Sequence, residues 1–268
     1  MLFNPNQLMI EEFVGQLIEG YAETYGGWKG EYGEVVTWAA RIAAQIHSNL
    51  GDAPYHNLGH TVDVTLVGQE ILRGRHITER VVPKEWLHFL MACAFHDIGF
   101  VKRLLPEDRE REYPRGSTGA ALNETHVDRG KEFVLLRFGE HDFIDAPVVA
   151  DYIEQTRFPV PQGERYTETE SLRGLVRAAD FIGQLANLHL YQNQWALFQE
   201  FAENGANEPL GYQNADDLRD GYPAFFFHVV KPYIKDGVRH LQRTERGRQI
   251  VSNLLANVFR AQHADFAL

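Results

Sequence analysis

The chain has 268 residues, 44% hydrophobic and 24% charged, the composition of a soluble globular protein long enough to bury a core in one large domain or two small ones. Acidic residues outnumber basic ones 37 to 26, and the formal charge of -11 argues against nucleic acid or an anionic membrane as a partner. One cysteine, Cys93, rules out an intrachain disulfide framework, the opening segment MLFNPNQLMIEEF lacks the basic stretch of a secretory signal, and no apolar run reaches the roughly 18 residues of a membrane span, so a cytoplasmic protein is expected.

Helical periodicity runs through the sequence. The first helix is expected over 6–26, with Leu8, Phe13, Leu17 and Tyr21 near one face, and the second over 34–50, stopped by Gly51. The third runs from Pro54 to about Leu72, with Pro54 near its first turn. The fourth opens at Pro83 and ends at Gly99, a good stop residue. Further helices are expected near 126–138, 146–155, 171–190, 192–203, 223–240 and 244–263. The stretches 101–119, 157–170 and 203–217, rich in Gly, Pro and charge, are expected loops and candidate lids or entry walls. No alternation of period two, repeat or low-complexity linker appears. The expected fold is all-α, a single compact domain over 1–268.

Three places carry chemistry. In PYHNLGHTVDV, residues His56, His60, Asp63 and Val67 share a helical stripe that borders the apolar stripe at 58, 62 and 66. Such a group is either a set of structural hydrogen-bonders or part of a site. In AFHDIG, His96 and Asp97 end an apolar half-helix. An acid there is unfavourable by the helix dipole, so Asp97 either caps a turn, pairs with an arginine or meets a cation. In SLRGLVRAADFIGQLANL, Asp180 interrupts the apolar stripe Leu172, Val176, Gly183. A carboxylate buried there needs a partner, either Arg177 or a metal. Together His60, His96, Asp97 and Asp180 make a two-histidine, two-aspartate set from three helices. That set suits zinc, manganese, iron or nickel, and a bridging carboxylate can hold a second, harder ion such as magnesium. The remaining histidines, His47, His76, His88, His141, His189, His228, His240 and His263, are expected at the surface or in structural roles.

The H…HD…D pattern resembles the HD-domain metal-dependent phosphohydrolases, and most closely the catalytic domain of class I cyclic nucleotide phosphodiesterases. Their Y-H-N-x-x-H-x-x-D-V element stands here as Tyr55 to Val64, and their H-D follows at the matching interval as His96-Asp97. The resemblance spans about 50–240. It implies that His60, His96, Asp97 and Asp180 bind one or two divalent ions, with Asp97 bridging. It implies that His56 is the general acid for the leaving oxygen. Glu124 and His126 resemble the family's E-N-H element, and Thr156 its threonine, all of which position water. Asp63 is expected to orient His60 or to contact the site itself. Phe225 resembles the base-clamping phenylalanine, followed by Pro232. Two positions depart from the pattern. Phe100 replaces the last histidine of H-D-x-x-H, and Tyr222 replaces the purine-gripping glutamine, an amide that Gln184 or Gln213 would have to supply. Tyr55, Gln184, Tyr222 and Phe225 are the expected substrate contacts.

The expectation is a phosphohydrolase in which metal-activated hydroxide attacks a small phosphoester, a nucleotide or cyclic nucleotide first among them, while His56 protonates the departing oxygen. Homo-oligomerisation is left open. Two rivals belong to other classes: a catalytically silent metal-containing sensor or binding module, and a di-iron oxygenase of HD type, for which His126 is the one plausible additional ligand.

Overall fold

The computed structural model describes residues 3–263. Its helices are α1 (Pro5–Tyr25), α2 (Glu31–Leu50), α3 (Leu58–His76), α4 (Pro83–Phe95), α5 (His126–Phe138), α6 (Ala146–Ile153), α7 (Leu172–Leu185), α8 (Leu190–Asn204), α9 (Asn207–Leu210), α10 (Ala215–Phe225), α11 (Lys231–Leu241) and α12 (Glu245–Gln262). Among the described residues there is no strand, so the fold is all-α. None of these helices is long and apolar enough to cross a membrane.

Helix α4 is the centre. From Trp86 to Phe95 every residue is buried, and all but His88 are apolar, as an enclosed helix requires. It packs against α2, α3, α6 and α7, and α3 and α7 in turn pack on each other and on α11. The α3–α7 seam is unusually close. A Cβ on Gly183 would lie 2.9 Å from the Cα of Val64, so only glycine lets the two backbones meet there.

Several helix ends differ from the expectation, each for a local reason. Helix α3 starts at Leu58 rather than Pro54. The Asn57 side chain accepts the Gly59 and His60 N–H groups at 2.8 and 3.4 Å and donates to the Pro54 carbonyl at 2.7 Å. That cap closes a turn ahead of the helix and leaves His56 outside it. The expected helix 171–190 ends at Leu185 as α7, and the expected helix 192–203 begins at Leu190 as α8. The expected helix 223–240 divides differently: α10 begins at Ala215, capped by Asn214 and Asp217, and passes through a π turn at Phe226–Val230 into α11. Pro223 lies within α10, and the wider turn follows close behind it. The 101–119 loop is anchored rather than free. Arg129 of α5, itself buried, donates to both oxygens of buried Asp108 at 2.6 and 2.8 Å and to the Gly99 and Val101 carbonyls at 2.8 and 2.9 Å.

Candidate metal centre

The N-terminus of α3, the end of α4 and the middle of α7 bring four ligand-type atoms together. The Nε2 atoms of His60 and His96 are 3.3 Å apart. Asp97 Oδ2 lies 3.3 Å from the first and 3.0 Å from the second. Asp180 Oδ1 lies 3.4 and 3.5 Å from them. Ligands held ~2.1 Å from one ion sit roughly 3.0–3.4 Å from each other, the edge lengths of an octahedron or tetrahedron. His60, His96 and Asp180 form a group able to hold a divalent ion, and Asp97 Oδ2 lies at similar spacing from both imidazole nitrogens.

Two further observations agree. His96 Nδ1 donates to the Cys93 carbonyl at 2.8 Å, which turns Nε2 toward the cluster. Asp97 Oδ2 is buried with no hydrogen-bond partner, an orphan that a cation would satisfy. Burial opposes every charge here, yet the groups hold one another ionised. His60 is pushed up to about 9 by Asp180 and Asp97, and Asp180 is pulled down to about 2, with His96 the leading influence after burial. Asp97 lies well below the usual carboxylate range under His96 and His56. The alternative partner for Asp180 is otherwise engaged. Arg177 donates to the Gln155 and Tyr166 carbonyls and to the Gln155 side chain.

His56 stands beside this cluster with a different partner. Its Nδ1 pairs with Glu200 Oε2 of α8, and Glu200 Oε1 accepts the backbone N–H groups of His56 and Tyr55 at 3.0 and 2.6 Å. Burial disfavours the charged ring, but Glu200 and Asp97 raise it above its usual range, while His56 lowers Glu200. The two form an ion pair. Phe100 stacks on His56, with ring centroids 4.2 Å apart, and on His126, also at 4.2 Å. His126 Nδ1 donates to the Asn123 carbonyl at 2.5 Å, and its Nε2 lies 3.8 Å from Asp97 Oδ1. Glu200 was not expected from sequence. Its signal is the one that singled out Asp180: an acid on the buried face of its helix, one turn after Leu197.

Other expected site residues are placed elsewhere. Asp63 does not reach the ring of His60. Its carboxylate holds the Asn187 side-chain amide, and Tyr55 Oη is the atom at His60 Nδ1, at 3.1 Å. Tyr55 is thus buried behind the cluster instead of open to substrate. Tyr222 is also buried, and its hydroxyl donates to the Leu185 carbonyl at 3.2 Å, at the C-terminal end of α7 rather than toward a ligand. Glu124 is exposed. The Thr156 hydroxyl donates to Ile153 O within its own turn, at 2.8 Å. Gln184 is partly exposed on α7, and Gln213 is exposed with its N–H on Asp217. Phe225 belongs to an edge-to-face group with Phe158 and Phe181, at 6.0 and 6.5 Å. His47 is buried and structural in position, but it feels the charges of Asp97, His96 and His60, and burial pushes it down to about 4.

The family model described as Npun_R2479-like matches residues 3–264, almost the whole chain. No curated protein matches the chain.

Proposed function

We propose that this chain, which belongs to the Npun_R2479-like family, is a metal-dependent phosphohydrolase of HD type acting on a small phosphoester, with a nucleotide the leading candidate. The observation that carries the reading is a juxtaposition: His60, His96 and Asp180 at ion-binding spacing, Asp97 against both histidines, and a histidine–glutamate ion pair beside them. His60, His96, Asp97 and Asp180 would hold the ion, of zinc, manganese, iron, nickel or magnesium. Bound there, a divalent ion neutralises phosphate charge and makes a water nucleophilic near neutral pH.

The chain's own residues do the proton work. With Nδ1 held by Glu200, the charged His56 ring carries its other proton on Nε2. As the bond from phosphorus to the leaving oxygen breaks, its electron pair goes to that oxygen and the Nε2 proton follows. His56 becomes neutral and Glu200 keeps its charge. Glu200 fixes the ring and the backbone beneath it through one carboxylate, so the donor is preorganised. The side chains of His56 and Asp180 are each 19% exposed, against 5% for His60 and 1% for His96, so substrate reaches the centre from their side. The Phe225 group, with Phe158 half exposed, offers a surface on which a base can stack.

The test refills metal-stripped protein with manganese, magnesium, iron, nickel or zinc and assays linear nucleotides, cyclic nucleotides and nitrophenyl phosphates. Metal-dependent turnover that disappears in Asp180→Asn supports the reading. Metal binding with no turnover of any phosphoester would leave a metal-holding module instead. Selectivity between cyclic AMP and cyclic GMP is expected to be weak, because the Tyr222 hydroxyl is committed to Leu185 and offers a purine edge nothing. A preference of about 10³-fold or more in kcat/KM for one of them would contradict this.

A further inference from the structure

The two oxygens of Asp97 face different surroundings. Oδ2 faces the Nε2 atoms of His60 and His96, whereas Oδ1 faces His126 Nε2 across 3.8 Å. A second ion bridged by Asp97, as the HD resemblance implies, would have to sit on the Oδ1 side. The residues there do not fit one. Among the described residues only His126 lies within 4 Å of that oxygen, and catalytic metal sites draw on about three protein ligands or on ample space for water. The one group of three or more histidine, cysteine or acidic side chains found at ion-binding spacing among the described residues is that of His60, His96 and Asp180.

The space for water is restricted as well. Phe100 follows Asp97 by one short turn, is buried, and stacks at 4.2 Å on both His56 and His126. Its ring is a wall with no hydrogen-bonding atom on the side where a second ion would keep its water shell. Its backbone is equally constrained: a Cβ on Gly99 would lie 1.9 Å from the His126 carbonyl oxygen, so the turn and the start of α5 cannot part without breaking their contact. What remains between Asp97 Oδ1 and His126 Nε2 are two acceptors, because the Nδ1 proton of His126 is given to Asn123 O. A single water donating to both satisfies that gap.

We infer that the centre holds one metal ion rather than two, and that Phe100 is the residue that keeps the second position closed. The inference rests on the metal-binding reading of His60, His96, Asp97 and Asp180 but not on the identity of the reaction. The test is to strip the full-length protein with chelator, titrate it with manganese, and read bound metal per chain by elemental analysis and the manganese resonance spectrum. Wild type should bind one equivalent and show the hyperfine pattern of an isolated ion. Phe100→His, which restores a polar ring at the wall, should bind two and show the pattern of an exchange-coupled pair. Two equivalents with a coupled spectrum in wild type would overturn the inference, and this measurement needs no variant to fold. One equivalent in a folded Phe100→His protein would overturn the role given to Phe100. No manganese in any form would overturn the metal reading itself, and this inference with it.

Discussion

His56 is held by a carboxylate 144 positions away in the chain, and its behaviour with pH follows from that partner. Its ionisation lies above the ordinary histidine value of 6.5, so the folded protein keeps the ring charged to a higher pH than a free histidine would. An activity that needs the charged ring is therefore retained below the raised value and lost as pH climbs through it. Glu200→Gln removes the charge that holds the proton, so the alkaline limb of the kcat profile should move to lower pH while metal content stays the same. An unmoved limb would mean that another group titrates there. His56→Ala should keep its metal and lose roughly 10²–10⁴-fold in turnover. The loss should be smaller with a nitrophenolate leaving group, which needs little protonation. Tyr222→Phe checks the opposite kind of residue. It should cost about 0.5–1.5 kcal/mol in urea unfolding, the worth of one hydrogen bond, and leave kcat/KM unchanged. The motif places Tyr222 where a purine-gripping glutamine would stand, but a motif registers position along the chain and not the direction of a side chain. Glu200 shows the converse, since its acid on an apolar face was legible but its partner was not.

At the level of elements, the centre depends on how closely α3 approaches α7. His60 and Asp180 reach a common point because the helices touch at Gly183 and Val64. Gly183→Ala places a Cβ against backbone, which cannot swing aside, so the helices must part. The expected cost is about 1–3 kcal/mol, with weaker metal binding as the second effect. Both are read from one denaturation series with and without metal. Wild-type stability and affinity together would show that the seam is more pliable than its geometry implies. The Asn57 cap acts at the same scale. It starts α3 late and gives His60 to the helix and His56 to the turn before it, which separates the proposed ligand from the proposed proton donor within five residues. The residue types that form the cap were plain in the sequence, though the pull of Pro54 as a helix starter hid the boundary.

For the molecule as a whole, the centre gathers two histidines and two carboxylates against the apolar core, an arrangement that burial alone opposes. A cation bound there would offset that opposition only in the folded state, which would link metal to stability. At metal concentrations near 100 times Kd the gain is about 2.7 kcal/mol, or on the order of 5–10 °C in Tm for a chain of this size. Chelation should lower Tm by that order, and Asp180→Asn should abolish the metal-dependent part. A Tm indifferent to chelator would argue against a resident ion.

The all-α class and most of its helices were determined by the sequence itself, because a helix closes its hydrogen bonds locally and writes its buried face into the spacing of apolar residues. The cluster His60, His96, Asp97 and Asp180 was legible for a related reason: polar groups on otherwise apolar stripes need partners, wherever those partners come from. Only the tertiary structure decided which partners they are. That Arg177 turns to the Gln155 and Tyr166 carbonyls, that Glu200 of α8 holds His56 and that Phe100 stacks between His56 and His126 are consequences of how elements distant in the chain pack together. Crossing geometry is a property of packed surfaces, summed over many side chains distant in sequence, and no local pattern encodes it.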